Sequence, residues 1–242
     1  MSAAILACAL SFGVTCLLAP LFIPLLRNMK FGQSIREIGP SWHKSKQGTP
    51  TMGGIIFVIS VIGISLVLCA NFLLSDLKIL AVLVTGFMFA LVGFADDFVS
   101  VVMKRNLGLT TIQKLILQFI ISAGFLFFMH SRSYIITYID IPRLNISFDM
   151  GVWFYVLALP FMVFTVNAVN LTDGVDGLAS SVMIPVMALL AIMATKYGGE
   201  NIAIICSCVV GGCLGFLVFN FHPAKGSRRV GAAPQIDRKS VV

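Results

Sequence analysis

Seven stretches of the chain run nearly free of charged residues, at about 3–26, 53–74, 77–95, 114–130, 151–169, 179–195 and 201–221. An α-helix rises 1.5 Å per residue, so about 20 apolar residues cross a hydrocarbon core. The pattern predicts an all-α integral membrane protein of about seven transmembrane helices, forming one domain over 1–225. Between the runs, 27–52 carries Arg27, Lys30, Arg36, Lys44 and Lys46 against a single Glu37, and 96–114 carries Lys104, Arg105 and Lys114. Connections rich in Lys and Arg stay on the cytoplasmic side. The N-terminus is therefore expected outside, with the connections near 71–76, 131–150 and 196–200 on the outer side. No Lys or Arg precedes the first run and no cleavage-like segment follows it, which favours an uncleaved helix over a signal peptide.

The longest outer connection holds Tyr134-Ile-Ile-Thr-Tyr138 and Leu144-Asn-Ile-Ser-Phe148, separated by Asp140, Pro142 and Arg143. Two β-branched-rich runs around a turn signal predict a small hairpin near 131–150. The polar segments 33–54, 94–114, 167–177 and 220–225 follow spans one, three, five and seven, so alternation brings all four to the cytoplasmic face. Residues 226–242 are polar and basic without apolar periodicity, and are expected to be a non-native or disordered tail.

Composition agrees: 58% of the residues are hydrophobic and 11% charged, far from the roughly one quarter charged of a soluble domain. A net charge of +7 would suit nucleic acid, but the basic residues sit in short loops, where membrane orientation accounts for them. No nucleic-acid partner is expected. The six cysteines all lie in apolar runs without a Cys-x-x-Cys pair, as small buried residues rather than a disulfide frame or zinc site.

Four segments carry candidate chemistry. Asp96 and Asp97 close the third span; paired carboxylates beside hydrocarbon mark a functional site, and hard oxygens suit Mg²⁺ shared with substrate phosphates. The alternative is a helix that has ended, leaving both aspartates in water. Asn167, Asn170, Asp173 and Asp176 recur every three residues, near one another if the fifth helix runs that far, with Gly174 and Gly177 to stop it. Capping of the sixth helix would equally explain Asp173, with Asp176 near its positive end. Ahead of the second span, His43-Lys44-Ser-Lys46-Gln-Gly48-Thr-Pro-Thr51-Met-Gly53-Gly54 reads either as a phosphate cradle at a helix N-terminus or as a basic loop meeting lipid headgroups. It lacks the P-loop order. His222 and Lys225, leaving the seventh span, are interfacial anchors or site residues.

Together these motifs resemble those of the polyprenyl-phosphate N-acetylhexosamine-1-phosphate transferase superfamily, or glycosyltransferase family 4, through Asp96-Asp97 and the Asn167–Gly177 string. Gly32-Gln33-Ser-Ile35-Arg36, Gly39-Pro40 with His43, and Gly48-Thr-Pro-Thr-Met-Gly-Gly54 narrow the resemblance to the phospho-N-acetylmuramoyl-pentapeptide-transferase family. The resemblance implies a Mg²⁺-dependent enzyme that moves phospho-N-acetylmuramoyl-pentapeptide from UDP-MurNAc-pentapeptide to undecaprenyl phosphate, giving lipid I and UMP for peptidoglycan synthesis. It implies a multi-pass protein of the bacterial inner membrane, its active site facing the cytoplasm, and a homodimer. Asp96 and Asp97 match the catalytic positions and metal ligands, whether transfer runs in one step or through an aspartyl intermediate. Lys46, Thr51, Asn170, Asp173, Gly174 and Asp176 match substrate-binding positions, and Asn167, His222 and Lys225 are further candidates.

The match has two departures. Ser100 stands where the family often has Lys, with Lys104 the substitute to be tested. After His222-Pro-Ala-Lys225 the family, normally of about ten spans, continues into a Gly-Asp-Thr-Gly-Ser segment whose Asp binds magnesium. On that resemblance the chain is expected to be C-terminally truncated and inactive as it stands. The sequence Asp237-Arg-Lys-Ser-Val-Val242 is what the adapter sequence GATCGGAAGAGCGTCGTG encodes in this frame, which the source nucleotides would test. Two rivals remain at this point. One is a sister transferase acting on UDP-GlcNAc, and the other is an ion-coupled transporter, whose carboxylates would sit near the midplane instead.

Overall fold

The computed structural model describes residues 2–28, 53–73, 76–102, 108–141, 146–173 and 177–220. Lys46, Thr51, Gly174, Asp176, His222, Lys225, Lys104 and the 226–242 segment lie outside the described residues. The described chain forms helices α1 (Ser2–Asn28), α2 (Gly54–Leu68), α3 (Leu77–Val102), α4 (Thr111–Ser131), α5 (Val152–Thr172), α6 (Leu178–Lys196) and α7 (Glu200–Asn220). Strands β1 (Tyr138–Ile141) and β2 (Ile146–Asp149) stand between α4 and α5. This is an all-α membrane protein: six helices are long and apolar enough to span a bilayer. The exception, α2, has 15 residues and rises only about 23 Å, with the 3-10 turn Ala70–Phe72 continuing the chain beyond it.

Side-chain contacts fix the relative directions of the helices. Gly211 packs on Cys8 and Gly215 on Thr15, and the Ser11 hydroxyl donates to the Cys208 carbonyl at 2.7 Å, so α1 and α7 run parallel. Gly53 lies against Phe216, whereas Phe57 and Val61 lie against Gly212, so α2 runs antiparallel to both. Lys114 on α4 meets Asp96 on α3, and at the opposite end Lys78 sits over the Tyr134 ring at 4.8 Å. Gln118 likewise meets Asn167, and His130 meets Tyr155. These two pairs of helices are therefore also antiparallel. The directions match the alternating topology that the hydropathy pattern predicts, with the short α2 included.

The best-packed helix is α7, which lies chiefly against α1 and α6, with α2 against it as well. Ala7, Ser11, Thr15 and Ala19 recur every fourth residue on α1 and are all buried. Lipid supplies no hydrophobic drive between spans, so close backbone approach over small residues and interhelical hydrogen bonds hold them together. The six cysteines are free, as expected.

Some helix and strand ends depart from the predicted bounds: α2 stops at Leu68, short of the predicted 74. α3 continues to Val102 and α5 to Thr172, because helical hydrogen bonds persist past the point where the hydropathy falls. The hairpin pairs Tyr138 with Asp149 and Ile141 with Ile146. Its first strand thus begins where the predicted one ended, and Asp140, expected in the turn, lies in β1 opposite Ser147. The base of the ladder is set by Asp149, whose carboxylate accepts from the Thr137 hydroxyl and from the Gly151 N–H at 2.9 Å.

Those two hydrogen bonds hold the Asp149 carboxyl below its ordinary value of 3.8, the Thr137 bond contributing most. A lowered folded-state pKa stabilises the fold above the unfolded value and ceases to do so as pH falls through the folded one. Protection of the amides in 138–141 and 146–149 against exchange, taken relative to the unfolded chain at the same pH, is therefore expected to hold down to about pH 3.8 and to fall below it. In Asp149→Asn the acid-dependent step should vanish.

Candidate functional site

Asp96 lies within α3, not beyond its end. The carboxylate is largely buried, its side chain 23% exposed, so the reading of two aspartates in water past a finished helix is overturned for Asp96. Oδ2 lies 2.5 Å from the Lys114 ammonium, and Oδ1 accepts from the Leu109 N–H at 2.9 Å. Asp97 follows on the exposed side of the helix.

Both partners of Asp96 come from the start of α4, which the sequence fixes with a reciprocal cap. The Thr110 hydroxyl accepts from the Gln113 N–H while the Gln113 side chain accepts from the Thr110 N–H, satisfying two end-group donors. Asp96 thus faces the positive end of α4 as well as an ammonium. The chain enters α4 directly over α3. A Cβ on Gly108 would stand 2.0 Å from the Asp96 carbonyl oxygen and 2.7 Å from Oδ1, so no larger residue fits the crossing.

Below this pair, Lys114, Gln118 and Ser122 recur at four-residue steps on one face of α4. Gln118 is 3% exposed and Ser122 fully buried. The Asn167 Nδ2 donates to Gln118 Oε1 at 2.6 Å and to the Val163 carbonyl at 2.8 Å. An amide nitrogen carries two hydrogens, so both donors of Asn167 are spent inside the protein, clamping α5 to α4. Asn170 and Asp173 lie farther toward the same end and are exposed. Asp173 is the C-cap of α5, its N–H bonded to the Val169 carbonyl. The cap of α6 is instead Gly177, at φ 79, a left-handed conformation that glycine adopts without strain. Asp173 is not the N-cap of the sixth helix.

The structure therefore gathers Asp96, Asp97, Asn167, Asn170 and Asp173 at one end of the bundle, and adds Lys114 and Gln118. Neither addition stood out in the sequence, where Lys114 read as one more loop cation. The available signals were the Thr-x-x-Gln cap at 110–113 and an ammonium and an amide one turn apart on an apolar helix, a costly arrangement in a membrane without partners. Replacing Gln118 by Leu is expected to lower stability by about 0.5–1.7 kcal/mol. A double-mutant cycle with Asn167→Leu, read by thermal unfolding in detergent, should return most of that as coupling.

Among the described residues no group of three His, Cys, Asp or Glu side chains is placed to hold a metal ion. A Mg²⁺ ion needs less from protein: one or two carboxylates suffice when phosphate and water complete its shell. Carboxylates such as those of Asp96 and Asp97 are the donor type such an ion takes, and each Asp96 oxygen has a second lone pair beyond its present bond.

Fold and site together define a polytopic membrane protein with a carboxylate–ammonium centre at the ends of its helices. The glycosyl transferase family 4 model matches residues 79–226, and the phospho-N-acetylmuramoyl-pentapeptide-transferase signature 1 matches 46–58. Proteins named phospho-N-acetylmuramoyl-pentapeptide-transferase are similar along most of the chain. The one from Geobacillus sp. (strain WCH70) is 47% identical over 221 residues, covering 91% of this chain and 68% of its own length. Those from Halalkalibacterium halodurans and Bacillus subtilis (strain 168) are 46% and 45% identical, covering 89% of this chain and 66% of theirs. The chain belongs to the phospho-N-acetylmuramoyl-pentapeptide-transferase family and spans about two thirds of the length of these relatives.

Proposed function

We propose that the protein transfers phospho-N-acetylmuramoyl-pentapeptide from UDP-MurNAc-pentapeptide to undecaprenyl phosphate, giving lipid I and UMP, in a bacterial inner membrane with the site facing the cytoplasm. Family membership supports the reading, and the observation that carries it is the Asp96–Lys114 pair at the membrane-surface end of α3 and α4. Phosphoryl transfer between two polyanions needs alignment and charge neutralisation more than covalent help. Lys114 and the N-terminal end of α4 supply positive potential where a pyrophosphate would lie. Asp97, exposed beside them, would take a proton from the lipid phosphate. Asn170 and Asp173, at the end of α5, would offer amide and carboxylate groups to the nucleoside. Mg²⁺ held by Asp96 and Asp97 would neutralise phosphate charge there. The same surface position lets an acceptor anchored in the bilayer bring its phosphate to the site.

The test is UMP release in membranes holding a chimera extended to the full length of the relatives. Activity is expected with UDP-MurNAc-pentapeptide, undecaprenyl phosphate and Mg²⁺, to be lost on chelation and restored by added Mg²⁺. Release from UDP-GlcNAc instead would assign the protein to the sister activity, and no release from either donor would sink the transferase reading.

A further inference from the structure

The hairpin at the end opposite Asp96 has two unlike faces. Residues directly opposite each other in an antiparallel pair share a face, so the register places Ile139, Ile141, Ile146 and Phe148 together. The other face carries Tyr138, Asp140, Ser147 and Asp149. Among the described residues no helix covers the apolar face: Ile146 is 48% exposed, Phe148 46% and Ile141 36%. A lone two-stranded hairpin is marginal in water, and one exposing three large apolar side chains on one side, with Ile139 half-buried beside them, is less favourable still.

What lies beside it is the membrane surface. The hairpin is strung between two spans, α4 ending at Ser131 and α5 starting at Val152, directly after β2 ends at Asp149. All four tyrosines of the chain, Tyr134, Tyr138, Tyr155 and Tyr197, fall at this end, with Trp153 exposed in the first turn of α5. Amphipathic aromatics gather at headgroup level. Cations join them: Lys78 over the Tyr134 ring, Arg132 over the Phe128 ring, and Lys196 in the last turn of α6, each able to meet a lipid phosphate.

We propose that the hairpin lies on the bilayer, with Ile139, Ile141, Ile146 and Phe148 set into the boundary between headgroups and acyl chains. Tyr138, Asp140, Ser147 and Asp149 then face water, and the bilayer supplies the burial that an isolated hairpin lacks, as it does for amphipathic surface helices. The proposal rests on the spans and the strand register, not on the catalytic reading.

The test uses the full chain in phosphatidylglycerol–phosphatidylethanolamine nanodiscs. With Cys8→Ala and Cys16→Ala as background, the other native cysteines being buried, single variants Ile146→Cys, Ser147→Cys and Phe148→Cys are labelled with an environment-sensitive fluorophore. The expected result alternates with period two. Labels at 146 and 148 emit to the blue and are quenched by lipid bearing a nitroxide high on the acyl chain, whereas the label at 147 emits as in water and is quenched by aqueous iodide. Uniform aqueous emission would overturn the proposal. So would a blue shift at 146 and 148 without lipid quenching, which would mean that protein, from this chain or a second copy, covers the face. Circular dichroism of each variant confirms the helical content, and Ile139→Cys gives an independent reading from the other strand.

Discussion

Replacing Asp96 by Asn should lower the rate of UMP release by roughly 10²–10³-fold, the scale seen when one preorganised electrostatic group is removed from a site, while leaving the course of α3 unchanged. The carboxamide keeps the shape of the carboxylate. Its oxygen still accepts from the Leu109 N–H, as Oδ1 does now, and α3 runs on unbroken to Val102. What disappears is the negative charge against Lys114 and against any cation shared with phosphate. Lys114→Met should produce a loss of similar size from the other side, and either single change costs stability, because it leaves the other member of a partly buried pair, 19% exposed for Lys114 and 23% for Asp96, without its ion pair. Groups that act as a unit are not additive. The double variant is therefore expected to be no slower than the slower single one. Measured kcat and KM in the full-length chimera would show it; losses that multiply would mean that the two residues act separately, whatever their 2.5 Å contact. Lys114→Arg is not a rescue, because a planar fork cannot reproduce a point charge at the same place.

Much of this centre was legible from the chain. Asp96 and Asp97 stand out because carboxylates beside hydrocarbon are rare, whereas the three-residue rhythm from Asn167 lies on α5 only as far as Asn170: the helix ends at Thr172, Asp173 caps it, and Asp176 lies outside the described residues. The role of Asn167 was not legible. Periodicity sets a side chain on a face, but only the partner helix decides whether an amide points to a ligand or to Gln118. Lys114 was hidden for a similar reason. Its neighbours Lys104 and Arg105 gave the segment the composition of an ordinary cytoplasmic loop, and nothing local says which of three cations will return to Asp96. Hydropathy found the seven apolar runs because burial in lipid constrains every residue of a span, whereas the end of α3, read from hydropathy, and the bounds of β1, read from a β-branched run, were misplaced, since helices and strands end where hydrogen bonding does. The small residues of α1 and α7 form a third case. Gly211-x-x-x-Gly215 is a known signature of close helix approach, yet the signature names no partner, and α1 lies at the far end of the chain.

That approach has the largest expected effect on the fold. A Cβ on Gly211 would stand 2.0 Å from the carbonyl oxygen of Cys8, and one on Gly215 2.7 Å from Thr15 Cβ. The first obstacle is backbone, which cannot rotate away as a side chain can, so α1 and α7 must separate. Separation would stretch the hydrogen bond from Ser11 to Cys208, 2.7 Å long, and uncover the buried row of Ala7, Ser11 and Thr15. Overpacking a tight contact costs about 1–3 kcal/mol, so Gly211→Ala is expected to lose that much in a thermal or SDS titration of the purified protein. Gly211→Leu cannot be seated at all, and should fail to accumulate in membranes. Gly124 is the matched control: it too lies in a span, and a Cβ there meets nothing within 4 Å, so Gly124→Ala should be neutral or slightly stabilising, alanine being the better helix former. The damage at Gly211 would not stay local, because α7 also packs on α2 through Gly212 against Phe57 and Val61. Moving α7 to relieve Cys8 therefore disturbs the seat of α2. Equal stability of Gly211→Ala and Gly124→Ala would show that the two helices stand farther apart than these distances.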